Sequence, residues 1–100
     1  MKVGSVQFPI DELREICVRF GVMRLSLFGS ALTGENRPDS DVDLLVELRP
    51  DRVLSFFEFA RLAREIETVL KQRVDLREPD DLSILFRDRV KREARLVLAA

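Results

Sequence analysis

Two short stretches decide the fold of this chain: Leu27-Phe28-Gly29-Ser30 and, after a loop, Ser40-Asp41-Val42-Asp43-Leu44-Leu45-Val46. The first ends an apolar run in a Gly-Ser turn, and the second places two alternating carboxylates at the start of apolar strand material. A carboxylate beside a hydrophobic strand is costly to desolvate unless a cation or hydrogen-bond donors compensate its charge. The pattern therefore predicts a metal-dependent phosphate site at one end of a sheet.

Length and composition limit what surrounds this site. The chain has 100 residues, and we expect residues 1–100 to form a single domain. It is 46% hydrophobic and 35% charged, and it contains no apolar run near the roughly 20 residues that span a bilayer. No secretory signal opens the chain, so we expect a cytoplasmic protein with no membrane association. The 17 basic and 18 acidic residues nearly cancel, which argues against a broad nucleic-acid-binding surface.

The residue types that are missing narrow the chemistry further. The chain has no His and a single cysteine, Cys17, which excludes a Ser-His-Asp triad, an intrachain disulfide and a typical structural zinc site. Carboxylates remain as the candidate metal ligands. They are hard oxygen donors, and these suit Mg²⁺, with Mn²⁺ as the alternative.

Hydrophobic periodicity predicts an alternation of helices and strands. Helical spacing from Ile10 to Phe20 ends at Gly21, and Ser55-Phe56-Phe57-Glu58 has the form of a capping box before a helix that runs to about Leu70. Short apolar runs predict strands over residues 22–28, 41–48 and 73–77. Loop residues occupy 34–40. The simplest architecture is α/β (α+β), a compact sheet covered by helices on one side.

The remaining apolar residues are expected in the core. Beyond Pro79, one or two helices capped by Asp80 or Asp81 are predicted to carry apolar residues inward, namely Leu82, Leu85, Phe86, Val90, Leu96 and Val97. Aromatic residues at helical spacing are more often core than interface. We therefore also expect Phe56, Phe57 and Phe59 to be buried.

Three carboxylates are the candidate catalytic and metal-binding residues. Residues two apart on a strand project to the same side roughly 6.5 to 7 Å apart, so Asp41 and Asp43 can approach a common ion. Asp75, in the next predicted strand, is the best third ligand if the strands pair. Gly29 permits close backbone approach, and Ser30 offers an N–H and a hydroxyl at a helix start, where phosphates bind well.

Simpler interpretations exist for each part of the pattern. Gly-Ser pairs form ordinary turns, and Asp at a strand start often only accepts a turn hydrogen bond. A haloacid-dehalogenase nucleophile follows its strand, whereas Asp41 and Asp43 precede theirs. No P-loop sequence is present. The combination of the turn, the Asp-x-Asp and a third Asp on a strand favours the phosphate site over these simpler interpretations.

These residues resemble the DNA-polymerase-β-like nucleotidyltransferase superfamily, whose signature is Gly-Ser, a spacer, Asp-x-Asp and a later Asp. More narrowly, the chain is similar to the minimal nucleotidyltransferase, or MntA-type antitoxin, family. Further stretches that carry this likeness are Val74-Asp75-Leu76 and Arg87-Asp88-Arg89-Val90, which is followed by Arg92-Glu93-Ala94. The resemblance implies a small mixed β-sheet covered by helices.

The same resemblance implies a function. It implies Mg²⁺ on Asp41, Asp43 and Asp75, and ATP as the substrate, with Gly29 and Ser30 contacting the triphosphate. It further implies transfer of AMP to a hydroxyl, that of Tyr, on a partner HEPN-domain toxin. The chain has no Tyr, so a tyrosine acceptor must come in trans. Homo- and hetero-oligomers are both open.

One departure from the family pattern keeps a second function open. Many relatives read Gly-Ser-Arg-Ala-Arg-Gly, whereas this chain has Ala31-Leu32-Thr33 between Ser30 and Gly34. Arg37 is the candidate replacement for the nucleotide-binding arginines. The alternative is a non-catalytic antitoxin, a binding module that masks the toxin by direct contact.

Overall fold

The computed structural model describes residues 1–35 and 40–100. The first half contains β1 (Lys2–Val3), β2 (Val6–Gln7), α1 (Ile10–Phe20), β3 (Val22–Phe28) and α2 (Ser30–Thr33). The second half contains β4 (Val42–Leu48), α3 (Phe56–Leu70), β5 (Val74–Arg77), a 3-10 turn (Pro79–Asp81), α4 (Ile84–Glu93) and β6 (Arg95–Ala99). The predicted order of elements from α1 to β5 is confirmed.

Four strands form one mixed sheet in the order β5-β4-β3-β6. Strand β3 is antiparallel to both β4 and β6, while β4 and β5 are parallel. A parallel pair needs a long crossover, and α3 supplies it between β4 and β5. The predicted α+β class is confirmed. Strands β1 and β2 form a separate two-stranded hairpin that periodicity did not predict.

The predicted helix boundaries follow from local hydrogen bonds. The Ser55 hydroxyl accepts a bond from the Glu58 N–H at 3.1 Å, and the Glu58 carboxylate accepts one from the Ser55 N–H at 3.0 Å. This reciprocal pair is the predicted capping box, and it satisfies two N–H groups that have no partner inside the helix. At the end of α1, Gly21 adopts φ +76°, a left-handed conformation that glycine takes at low cost.

The core lies between one face of the sheet and the helices α1 and α3. Alternate residues of β4 face it, with Val42, Leu44 and Val46 all buried. Buried side chains on the helices include Leu13, Ile16, Cys17, Leu62 and Ile66. Within residues 1–35 and 40–100, no helix is long and apolar enough to cross a membrane.

The secondary structure predicted for the last segment was partly wrong. Leu96 and Val97 belong to β6 rather than to a helix, because α4 ends at Glu93 and the chain continues extended. Val97 and Leu98 are buried, while Leu96 is 51% exposed. Strand β6 covers the free edge of β3, a long-range pairing that local periodicity cannot reveal.

Several aromatic residues expected in the core lie on the surface. Phe56, Phe57 and Leu85 are 82%, 79% and 84% exposed, and Phe86 is 56% exposed. Of the Phe residues predicted to be buried, only Phe59 packs against the hydrophobic core, and it is partly buried. Helix α4 buries none of its residues. Helical spacing groups apolar side chains on one face, but it does not specify whether another element covers that face.

Cys17 is predicted to be an unreactive thiol in the folded chain. Burial raises the pKa of the Cys17 thiol to about 11, so almost no thiolate, the reactive form, exists near neutral pH. We expect a thiol reagent at pH 8 to label Cys17 only at the rate of unfolding, and at once in denaturant. Labelling of the native chain as fast as of the unfolded chain would contradict this packing.

Candidate active site

Strands β4 and β5 bring the predicted acids to one end of the sheet, and β3 brings the Gly29–Ser30 turn to the same end. The register pairs Phe28 of β3 with Asp43 of β4, and Asp43 with Asp75 of β5. Asp41 immediately precedes β4. Because β3 runs antiparallel to β4, its carboxyl end meets the amino ends of β4 and β5. The Gly29–Ser30 turn therefore lies beside the three carboxylates, as the sequence predicted.

Asp43 occupies the centre of this arrangement. Its side chain is half-buried, and the pKa of its carboxyl is raised, first by desolvation and then by the charges of Asp75 and Asp41. Arg77 opposes this rise. The ionised form of Asp43 is thus held at a cost in free energy. A cation bound between the carboxylates would offset this cost.

The two outer acids lie in ion pairs. Asp75 accepts two bonds from the Arg77 guanidinium, at 2.9 Å from Nε and 3.4 Å from a terminal nitrogen. Asp41 lies 3.6 Å from Arg73. Among the described residues, the structure gathers no three acidic, His or Cys side chains into a ready metal-holding group. The donor set nevertheless fits Mg²⁺ or Mn²⁺, since all three side chains offer hard oxygens at the same end of the sheet.

The turn after β3 requires glycine. Gly29 adopts φ +80° and ψ −159°, a region that residues with a side chain essentially avoid. A Cβ placed there would collide with the carboxylate of Asp43. Gly29 thereby brings the backbone directly against Asp43, and Ser30 begins helix α2. Arg37, the third predicted nucleotide-binding residue, lies outside the described residues.

Sequence reasoning missed a cleft beside this turn. It has a volume of about 420 Å³ and lies between the Gly29–Ser30 turn with α2 on one side and α4 on the other. Phe86 and Arg89 of α4 contribute to its walls. No sequence motif predicts this cleft, because it forms only where α4 and β6 return to the sheet.

A mixed sheet with a Gly-Ser turn and three Asp residues at one end defines a class of protein, the minimal nucleotidyltransferases. The chain matches the family model described as a nucleotidyltransferase domain over residues 10–97, and it belongs to that family. The resemblance stated from the motifs is thereby confirmed.

Individual relatives agree with this assignment. A chain of Methanocaldococcus jannaschii, to which protein adenylyltransferase activity is ascribed, is 37% identical over 79 residues, which are 79% of this chain and 83% of the relative. The protein adenylyltransferase MntA of Thermococcus cleftensis is 45% identical over 65 residues, 65% of this chain and 61% of its own length.

Solved structures share the fold. A chain described as a minimal nucleotidyltransferase superposes with a TM-score of 0.70 at 38% identity, covering 84% of each chain. A toxin-antitoxin structure with AMP-PNP superposes with a TM-score of 0.72 at 19% identity, covering 93% of this chain and 75% of the other. At that identity the likeness concerns the fold alone.

Proposed function

We propose that this chain is a Mg²⁺-dependent protein adenylyltransferase that acts as an antitoxin. It transfers AMP from ATP to a hydroxyl, that of a Tyr, on a partner HEPN-domain toxin and so neutralises the toxin. The observation that carries the proposal is the packing of Gly29 against Asp43, with Asp75 paired beside Asp43 in the sheet. Relatives named as protein adenylyltransferases support it.

The proposed reaction is a single displacement at the α-phosphorus of ATP. The acceptor oxygen forms a bond to that phosphorus, the bond to the β-phosphate oxygen breaks, and pyrophosphate leaves. Asp75 is proposed to help remove the hydroxyl proton as the oxygen attacks. Asp41, Asp43 and Asp75 would hold Mg²⁺, which would neutralise part of the charge of the phosphates when bound.

The remaining residues of the proposed site hold the nucleotide. The backbone at Gly29 and the N–H and hydroxyl of Ser30 contact the triphosphate, since no side chain at Gly29 blocks its approach. Arg37 is proposed to supply positive charge to the phosphates. The acceptor Tyr comes in trans, because these 100 residues contain none.

Labelled ATP tests the transfer directly. With Mg²⁺ and the toxin present, we expect ATP labelled on the α-phosphate to mark the toxin, whereas ATP labelled on the γ-phosphate leaves it unmarked. This difference follows because the γ-phosphate departs with pyrophosphate. Label from the γ-position alone would instead indicate a kinase and would contradict AMP transfer.

A second candidate function is masking of the toxin by contact without catalysis. Phe56 and Phe57 favour it, because they form an exposed edge-to-face aromatic pair on the surface of α3. Large exposed aromatic side chains are common in protein interfaces. The two functions differ in one respect: masking needs a surface but does not need the carboxylate of Asp43.

A further inference from the structure

The cleft beside the Gly29–Ser30 turn is lined by residues of different chemistry. The turn itself forms part of the wall and abuts Asp43. Leu32 of α2 and Phe86 and Val90 of α4 also line the cleft, whose surface is mainly apolar. Its volume of about 420 Å³ falls within the roughly 300 to 1,000 Å³ of small-molecule sites.

Charged side chains also line the cleft. Of the charged side chains in the described part of the chain, Glu35, Arg89 and Glu93 line the cleft. Arg89 is already engaged, since its Nε lies 3.2 Å from the Glu93 carboxylate. Among the described residues that line the cleft, no cation is therefore left unpaired to meet the charge of phosphate groups. A nucleoside triphosphate is expected to keep its phosphates at the turn and to place its uncharged base and ribose in the cleft.

Phe86 offers the base a surface. It lines the cleft, and 56% of the residue is exposed, which leaves part of the ring available for contact. Aromatic side chains bind nucleic-acid bases by stacking, whatever the base, because every base has a flat π-face. The carboxylate of Glu93 is also able to accept hydrogen bonds from ribose hydroxyls.

Hydrogen bonds fix the helix that carries Phe86. Arg87 donates from Nε to the Pro79 carbonyl at 2.9 Å and from a terminal nitrogen to the Leu82 carbonyl at 3.3 Å. These bonds tie the start of α4 to the 3-10 turn after β5. The wall of the cleft is thus connected to the strand that carries Asp75.

We propose that this cleft receives the base and ribose of a nucleoside triphosphate, with Phe86 stacking on the base. The proposal rests on the proposed function in one respect, namely that the triphosphate lies at Gly29 and Ser30. It adds a binding subsite formed by α2 and α4, and it assigns a role to an aromatic residue that the core does not use.

Calorimetric titration of the full chain with Mg²⁺ tests the subsite, with ATP and inorganic tripolyphosphate as the two probes. For Phe86→Ala we expect the Kd of ATP to rise about tenfold, the size of one lost stacking contact, while the Kd of tripolyphosphate stays unchanged. Leu85→Ala is the matched control on the same helix, because Leu85 is 84% exposed and is not part of the cleft wall. It should change neither Kd.

Two results would overturn the subsite. One is a Kd of ATP for Phe86→Ala within about twofold of that of the unmodified chain, the range of ordinary surface substitutions. The other is an equal loss of affinity for ATP and tripolyphosphate, which would place Phe86 at the phosphates.

Transfer of AMP is measured separately on the toxin. A selective loss of ATP affinity without any transfer by the unmodified chain would support the subsite while contradicting the adenylyltransferase function. Normal transfer with unchanged ATP affinity in Phe86→Ala would do the reverse.

Discussion

Asp43→Asn will reduce AMP transfer by more than about 100-fold while leaving the chain folded. Asp43 is the acid between Asp41 and Asp75, so its loss removes the central ligand of the proposed metal site and one negative charge. Groups that stabilise charge in the transition state contribute about 10² to 10³ in rate each, and a central ligand is expected to reach at least this range. The measurement is the initial rate of label transfer from α-labelled ATP to the toxin.

The thermal stability of Asp43→Asn distinguishes a loss of catalysis from unfolding of the chain. The pKa of Asp43 is raised above its ordinary value of 3.8, so its ionised form is less favourable in the folded chain than in the unfolded chain. The stability contributed by Asp43 is present below pH 3.8 and is lost as the pH rises through the raised pKa. At neutral pH, therefore, we expect Asp43→Asn to keep or increase the midpoint of thermal unfolding.

A matched control keeps the chemistry of the substitution constant. Asp51→Asn makes the same change at an exposed position in the loop after β4, away from the acid end of the sheet. It should retain both stability and transfer. If Asp43→Asn labels the toxin as fast as the unmodified chain, Asp43 has no part in the mechanism.

Gly29→Ala is expected to reduce both the stability of the chain and its affinity for ATP. The backbone of Gly29 has φ +80° and ψ −159°, and the new Cβ would collide with the Asp43 carboxylate. Strain of this kind costs about 1 to 3 kcal/mol, and the collision displaces Asp43 as well. We expect a clear drop in the free energy of unfolding in urea, together with loss of ATP binding.

Gly34→Ala provides the comparison, because Gly34 also has φ +80° but none of the described residues lies within 4 Å of an added Cβ. It tests backbone strain without the collision, at a cost of about 1 to 2 kcal/mol. ATP affinity should be preserved in Gly34→Ala. If the two variants lose ATP affinity to the same extent, the contact between Gly29 and Asp43 does not shape the site.

Local chemistry in the sequence was sufficient to predict the helices α1 and α3 and the strands β3, β4 and β5. The capping box at Ser55 and the left-handed Gly21 are local features, since their partners lie within a few residues. The proximity of Asp43 and Asp75 was also predictable. Each lies near the start of an apolar strand, and pairing of the two strands brings both residues to the same end of the sheet.

Features that depend on distant partners were not predictable in the same way. Strand β6 pairs with β3 across most of the chain length, and α4 then remains without a buried residue. Phe56 and Phe86 have the spacing of core residues, yet no element within residues 1–35 and 40–100 buries them. The cleft that Phe86 lines results from these long-range contacts, so no local sequence motif predicted it.

The intact mass of the toxin tests the central claim most directly. The toxin is incubated with Mg²⁺, ATP and either the unmodified chain or Asp43→Asn, and its mass and its toxicity are then measured. Our account predicts that only the unmodified chain adds the mass of AMP to the toxin, and that toxicity falls with this addition. A toxin that is neutralised fully by Asp43→Asn, with its mass unchanged, would contradict the account and would establish masking by contact.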